Sequence, residues 1–138
     1  MLLSISTAGS VVKEVAVHGC SLTVQHITDL VVTLEKIGAI EVLKIDYITL
    51  VLGEGEDVAT CLLPLLSSEK MMISYLSLKG CGLGDDFVAA ADFYKHMSEN
   101  VDLKALSLAN NQLSDAGVSS VLKAMKVNPA IADLNLAQ

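Results

Sequence analysis

One spacing of apolar residues recurs along almost the whole sequence and limits the folds open to it. In the segment LKALSLANNQL, four leucines and one asparagine stand at offsets 0, 3, 5, 8 and 10 from residue 103. The same offsets hold from residues 12, 40 and 73, and a truncated copy starts at residue 131. The sets are Val12, Val15, Val17, Cys20 and Leu22; Ile40, Leu43, Ile45, Ile48 and Leu50; Ile73, Leu76, Leu78, Cys81 and Leu83; Leu103, Leu106, Leu108, Asn111 and Leu113; and Ile131, Leu134 and Leu136. Such a period predicts a fold assembled from similar units.

The starting residues divide the chain into units of nearly equal length. The intervals between them are 28 (12 to 40), 33 (40 to 73), 30 (73 to 103) and 28 (103 to 131). The predicted organisation is one domain over 1–138, since 138 residues suit a single core. Its parts are a partial unit 1–11, four repeats 12–39, 40–72, 73–102 and 103–130, and a partial repeat 131–138.

Each unit combines two periods. Offsets 3 and 5 flank one residue, so their side chains face the same side of a strand. After offset 10 the spacing becomes helical, and in the fourth repeat it starts behind Ser114 and stops at Asn128 and Pro129. The sequence therefore predicts helices over about 115–127, 24–37, 56–67 and 85–98, with strands on one side of the molecule and helices on the other.

This pattern resembles the leucine-rich repeat family, specifically its ribonuclease-inhibitor-like class, which has Asn or Cys at offset 8. The resemblance covers residues 2–138. It implies an α/β leucine-rich repeat solenoid, a right-handed β-α superhelix with parallel strands on the concave face and helices on the convex face. Family members act as inhibitors, cytoskeletal regulators, Ran GTPase activators and innate sensors, so the resemblance also implies a protein partner.

Offset 8 lies where the chain turns out of each strand. An Asn there can bond unpaired backbone groups, and a buried Cys can fill the same space as a weaker donor. Ile48 can do neither, so we expect the turn hydrogen bonds to be weakest in the second repeat. Cys20 and Cys81, two strand steps and roughly 9 to 10 Å apart, are too distant for a disulfide. We expect both to be buried, with Cys61 in the core of a helix.

Charge and hydropathy disfavour several classes of partner. The net charge is -7 and all nine basic residues are lysines, which argues against nucleic-acid binding. The longest apolar stretches, such as 58–66, are too short to cross a bilayer. The first ten residues do not resemble a secretory signal. With unpaired cysteines, these features favour a cytoplasmic protein that does not bind membranes.

No arrangement typical of an enzyme stands out. His18 and Cys20 lack a third ligand at a supporting spacing, and segment 80–84 departs from the phosphate-binding glycine patterns. We interpret 80–84 as a strand-to-helix turn, followed by Asp85 and Asp86 in a helical first turn. Segment 53–57 is predicted to be a mobile, solvated loop. We therefore expect no catalytic, metal or cofactor site.

The outward positions of the strands, at offsets 2, 4, 6 and 7, are the best candidate for a binding surface. Tyrosines flanked by charges are typical of protein interfaces, and lysines and an aspartate on adjacent strands can form a cluster. Asp46 and Lys79 pairing with each other is the alternative. The candidate residues are Glu14, His18, Lys44, Asp46, Tyr47, Tyr75 and Lys79.

These residues lead to a prediction of a non-enzymatic interaction module or scaffold. The alternative is a GTPase-regulating or cytoskeletal protein of the Ran-activator or tropomodulin type. Because the sequence contains no arginine, it cannot supply an arginine finger to a GTPase. Activation of a GTPase by positioning its own catalytic groups stays possible.

Both ends of the sequence are expected to leave core positions uncovered. Leu2 and Val121 each lie ten residues before the start of a repeat, and Val121 belongs to the helix predicted over 115–127, so the chain is expected to begin inside a helix. Neither end of the sequence resembles the polar cap that solenoids need. A piece of a longer array is one interpretation. For a complete chain, we expect end-to-end self-association through the strand that contains Leu134 and Leu136.

Overall fold

The computed structural model describes the backbone of residues 2–8, 11–67 and 71–138, and the side chains of 12–67 and 71–138. The strands are β1 (Leu2–Ala8), β2 (Val11–His18), β3 (Ser21–Thr23), β4 (Val42–Asp46), β5 (Thr49–Val51), β6 (Tyr75–Ser77), β7 (Ala105–Ser107) and β8 (Asp133–Asn135). The helices are α1 (Val24–Ile37), α2 (Val58–Leu62), α3 (Asp85–Ala89), α4 (Ala91–Glu99) and α5 (Asp115–Met125), and a 3₁₀-helix covers Leu63–Leu66.

The main sheet has six strands in the order β1-β2-β4-β6-β7-β8, and five of them are parallel. β3 and β5 form a separate parallel pair. The parallel partners are Glu14, Val42, Tyr75, Ala105 and Asp133, in that order across the sheet. All five stand at offset 2, so the pairing confirms the strand alignment that the spacing predicts. The molecule is an α/β protein with a mostly parallel sheet.

The predicted inward positions of the strands form the core. Leu43, Ile45, Leu76 and Leu78 are completely buried, and their equivalents in β2 and β7 are buried as well. The helices cover this side of the sheet and contribute further buried side chains. The other side of the sheet carries no helix in the described part of the chain, and we call it the open face.

Two of the four predicted helices are interrupted. α1 has the predicted bounds, and α5 ends two residues earlier than expected. The helix predicted over 56–67 becomes α2 and the 3₁₀-helix, because Pro64 has no N–H to continue an α-helix.

The helix predicted over 85–98 breaks at Ala90, whose backbone is extended. In an unbroken helix Phe87 and Phe93 would point about 120° apart, whereas here both are buried and pack edge to face at 5.8 Å between ring centroids. The break therefore allows two aromatic rings to enter one core.

The N-terminal segment differs from the prediction. Leu2 and Leu3 were expected in a helix, but Leu2–Ala8 is a strand that pairs antiparallel with β2. Its sequence explains this, because Leu3, Ile5 and Thr7 alternate with serines at the period of a strand. β1 thereby pairs the outer edge of β2, which the prediction left uncovered. Residues 1, 9 and 10 of the predicted partial unit lie outside the described residues.

In the part of the chain that the structure describes, no helix combines the length and the apolar character needed to cross a membrane.

Candidate functional site

A column of left-handed backbone conformations follows the main parallel strands. Each of these residues donates its backbone N–H to a carbonyl of the next unit; Tyr47, for example, donates to the Lys79 carbonyl at 2.7 Å. All four members stand at offset 7, so they occupy the same turn in successive units. They are Gly19 (φ 68°), Tyr47 (φ 55°), Gly80 (φ 64°) and Asn110 (φ 55°).

Tyr47 is the exception in this column. Glycine and asparagine adopt positive φ easily, whereas a bulky side chain there costs roughly 1 to 2 kcal/mol. The tyrosine is nevertheless 50% exposed, so its position is not explained by burial in the core. A strained backbone that holds a half-exposed aromatic side chain points to a functional role for that side chain.

Three neighbours fix the orientation of the Tyr47 ring. The ring lies against the Cα of Gly80, so closely that a Cβ added there would overlap Cδ1. The Asn110 side chain donates a hydrogen bond to the phenol oxygen at 2.9 Å. The ammonium group of Lys79 lies 5.8 Å from the ring centroid, within reach of a cation–π interaction. These three contacts therefore fix the orientation of the ring within the folded chain.

A second aromatic and lysine pair lies on the same face. The ammonium group of Lys44 is 6.0 Å from the ring centroid of half-buried Tyr75, and it forms an ion pair with Glu14 at 3.1 Å. Each of the two lysines therefore lies beside its own tyrosine, and the recorded ion pair of Lys44 is with Glu14 and not with Asp46.

Asp46 has a different role from the one predicted. Its carboxylate accepts hydrogen bonds from the Ser77 hydroxyl at 2.5 Å and from the backbone N–H of Lys79 at 3.1 Å. The carboxylate thus bonds the Lys79 backbone, and the described residues show no ion pair between it and the Lys79 ammonium group. Asp46 orders the turn that carries Lys79 and Gly80.

The open face is narrower than the offsets suggest. Ser77, Ser107 and Ala109 were expected to face outward but are buried. Their side chains are small and are covered by the neighbouring strands. The Ser77 hydroxyl is also held by its hydrogen bond to Asp46. His18 is exposed at the end of β2, as predicted.

Asn111 and Cys81, which stand at offset 8, bond backbone groups of the turn as predicted. The Asn111 side-chain oxygen accepts from the backbone N–H groups of Cys81 and Leu83 at 2.9 and 3.0 Å, and its nitrogen donates to the Leu78 and Leu108 carbonyls at 2.9 Å. The Cys81 thiol donates to the Ile45 carbonyl at 3.0 Å.

The cysteines differ from one another. Cys61 and Cys81 are buried as expected, but Cys20 is only half-buried. Its turn leads into β3, an edge strand of the two-stranded sheet, so one side of the turn is open. Burial raises the pKa of the Cys81 thiol to about 11, which keeps it protonated and a poor nucleophile.

No group of three or more His, Cys, Asp or Glu residues among those described could hold a metal ion. The surface presents Lys44 and Tyr75 on adjacent strands, Tyr47 and Lys79 in the turns that follow these strands, and Glu14 and His18 on β2 at one side.

Asn110 is the site residue that the sequence reasoning missed. The signal was present at offset 7, where Gly19, Gly80 and Asn110 all favour positive φ and Tyr47 alone does not.

Comparison with protein-family models and with curated proteins finds no match to the chain.

Proposed function

We propose that this chain is a leucine-rich repeat solenoid that binds a partner protein on its concave strand face and has no enzymatic activity. The observation that carries the proposal is Tyr47, a half-exposed ring on a strained backbone. The binding surface comprises the tyrosine–lysine pairs of Tyr47 with Lys79 and of Tyr75 with Lys44, and it extends to Glu14 and His18.

The arrangement of the strands supports the solenoid. Residues at one offset pair with each other from β2 to β8, and the residues three and five places after each of the first four starts are buried. Asn111 bonds backbone groups of its own unit and of the preceding one. A parallel array of this kind, with helices on one side only, is expected to curve and to expose its strands on the concave side.

The side chains of the surface support a protein partner. Tyrosine contributes apolar area and a polar end at little cost in conformational entropy, and interface hot spots are rich in it. The Tyr47 ring is already ordered by Gly80 and Asn110, so a partner does not have to immobilise it. The net charge of -7 and the lack of arginine disfavour nucleic acid. The free cysteines suit a reducing compartment, and we place the protein in the cytoplasm.

The test is affinity capture with variants on opposite sides of the molecule. Tyr47→Asn keeps a residue that tolerates positive φ and removes the ring, and Tyr75→Ala removes the second ring. Tyr94→Ala is the matched control, because Tyr94 is 42% exposed but lies on α4. We expect proteins retained by the wild type and by Tyr94→Ala to be lost with Tyr47→Asn and Tyr75→Ala.

Stability has to be measured for the same set of proteins. Tyr47→Asn should unfold at the temperature of the wild type or above, since it relieves backbone strain while losing one surface bond. Equal capture by all four proteins, or loss of capture only in variants that have unfolded, would refute a role for the concave face.

A further inference from the structure

A groove separates α1 from α2 on the helix side of the molecule. α1 has 14 residues, whereas α2 has 5 and continues as a 3₁₀-helix. The wall on the α2 side is made of small side chains, namely Thr60, Cys61 and Pro64, with Gly55 in the loop before them. They do not fill the space beside α1, and an open cavity of about 500 Å³ remains. We call it the α1–α2 groove.

The other wall is a stripe of valines on α1 that the core covers only in part. Ile27 and Leu34 are the buried residues of α1, and Ile27 also lines the groove. Val24 and Val31 are partly buried against the core and line the groove together with Val32, which is 44% exposed. Val24 and Val31 are seven residues apart, so they lie on one side of the helix. An apolar stripe that forms the wall of an open cavity suits an apolar side chain supplied by another molecule.

Carboxylates stand at the two ends of the groove. Glu56 and Asp57 precede α2, and Glu35 lies near the end of α1. β3 and β5 are parallel and each leads to its helix, so α1 and α2 run in the same direction. Glu35 is eleven residues after Val24, which corresponds to a rise of about 16 Å along α1.

The acidic groups of the α2 end are fixed in position. Asp57 accepts a hydrogen bond from the Thr60 backbone N–H at 2.7 Å and one from its hydroxyl at 2.9 Å, and these bonds hold the pKa of Asp57 below its usual value. Glu56 accepts from the backbone N–H of Gly53. The described residues that line the groove include no lysine, arginine or histidine. The groove is therefore apolar along its length and negative at its ends.

We propose that the α1–α2 groove binds an amphipathic helix of a partner protein, with apolar residues placed between two lysines or arginines. Apolar residues at positions i and i+3 would face the valine stripe, and cations at i−4 and i+7 would meet the acidic ends. These four positions share one helix face, and the cations are eleven residues apart, as Val24 and Glu35 are. The site lies on the opposite side of the molecule from Tyr47 and is independent of it.

A synthetic peptide tests the proposal without a known partner. The probe carries leucine at i and i+3 and lysine at i−4 and i+7 in an otherwise alanine and glutamine helix. One control peptide has the same composition with the lysines moved to the opposite face, and a second has glutamate in place of lysine. Binding to the full chain is measured by calorimetry at low and high salt. We expect only the probe to bind, and more weakly at high salt.

Protein variants locate the binding. Val32→Glu and Glu35→Lys alter the groove, and we expect each to weaken binding of the probe about tenfold or more. Val101→Glu and Glu99→Lys are the matched controls, because Val101 is 71% exposed and Glu99 ends α4, both outside the groove. These controls and Tyr47→Asn should bind as the wild type does.

Each contrary result has a distinct meaning. Equal binding of the three peptides, or equal losses in Val32→Glu and Val101→Glu, would overturn a specific groove site. Loss of binding in Tyr47→Asn would assign the peptide to the open face. The wild type without peptide could also self-associate, and Val32→Glu could reduce that self-association. This result would identify a second copy of the chain as the occupant of the groove, and it would also overturn the proposal.

Discussion

At the scale of single residues, one tyrosine and one glycine are coupled across neighbouring strands. Tyr47 and Gly80 share the same left-handed turn in successive units, and the Tyr47 ring covers the Cα of Gly80. Each residue therefore constrains the other: the ring requires a neighbour without a side chain, and the glycine leaves the space in which the ring lies. The strain at Tyr47 is local, because Gly19 and Asn110 adopt the same conformation with residues suited to it.

This coupling predicts unequal effects of two similar substitutions. Gly19→Ala and Gly80→Ala both place an alanine at positive φ, which costs about 1 to 2 kcal/mol. The Cβ at position 19 meets nothing within 4 Å, whereas the Cβ at position 80 would lie 2.6 Å from Cε1 of Tyr47. We expect Gly80→Ala to lose about 1 to 3 kcal/mol more, as in overpacked sites.

Urea unfolding of both variants, in the wild-type background and with Tyr47→Asn, measures the difference. With the ring removed, the two alanine variants should lose equal amounts of free energy, since only the backbone cost remains. A persistent excess for Gly80→Ala in the Tyr47→Asn background would show that the ring is not the cause.

At the scale of elements, spacing predicted the parts whose side chains alternate regularly. The inward positions of β2, β4, β6 and β7 and the bounds of α1 follow directly from the offsets. The break at Ala90 does not, because it depends on packing Phe87 and Phe93 together, which no local period encodes. The helix expected at the N-terminus followed from the repeat offsets, whereas β1 follows from the strand-like alternation of Leu3, Ile5 and Thr7 with serines.

Buried asparagines at the helix-to-strand turns were also missed. Asn128 donates to the carbonyls of Met97 and Asn100 at 2.6 and 2.7 Å, and Asn100 donates to the Leu66 carbonyl at 2.5 Å. Both stand three residues before a unit start, so a second column was visible in the sequence. The spacing places the candidate residues of the open face on neighbouring strands and turns, but which lysine meets which tyrosine depends on rotamers that the spacing does not specify.

The junction of α3 and α5 predicts a dependence of stability on pH. The Asp85 carboxylate accepts hydrogen bonds from the Ser114 hydroxyl and from its backbone N–H at 2.8 Å, and these bonds hold the pKa of Asp85 below its usual value. A carboxyl whose pKa is lower in the folded chain stabilises the fold above its unfolded pKa. That contribution is lost as the pH falls through the folded pKa.

Asp85→Asn should therefore lower the unfolding midpoint at neutral pH, and the difference from the wild type should disappear in strong acid. Thermal unfolding monitored by circular dichroism over a pH series checks this. Asp86→Asn is the control, since the bonds recorded for Ser114 go to Asp85. A difference between Asp85→Asn and the wild type that stays constant into strong acid would contradict the assignment.

At the scale of the whole molecule, the two edges of the main sheet are different. On one side β1 pairs antiparallel with β2, and on the other side β7 is the only partner of β8 among the described residues. Within β8, the N–H of Asp133 and the carbonyl of Asn135 bond to the neighbouring unit. Because these directions alternate along a strand, the N–H and carbonyl of Leu134 point away from β7. Half-buried Leu134 and Leu136 lie beside this edge.

An edge of this kind is a template for another strand, and we propose that, in a chain without a further repeat after β8, it pairs with a second copy of the chain. Sedimentation should show a mass that rises with concentration. Hydrogen exchange supplies the structural readout: the Leu134 amide should become protected only in concentrated samples, whereas the Asp133 amide is bonded to the Lys104 carbonyl and should be protected in all. A constant monomer mass would remove the proposal. A mass that rises with concentration while the Leu134 amide stays unprotected would show that the copies associate through another surface. The valines of the α1–α2 groove are then the first residues to mutate in the search for that surface.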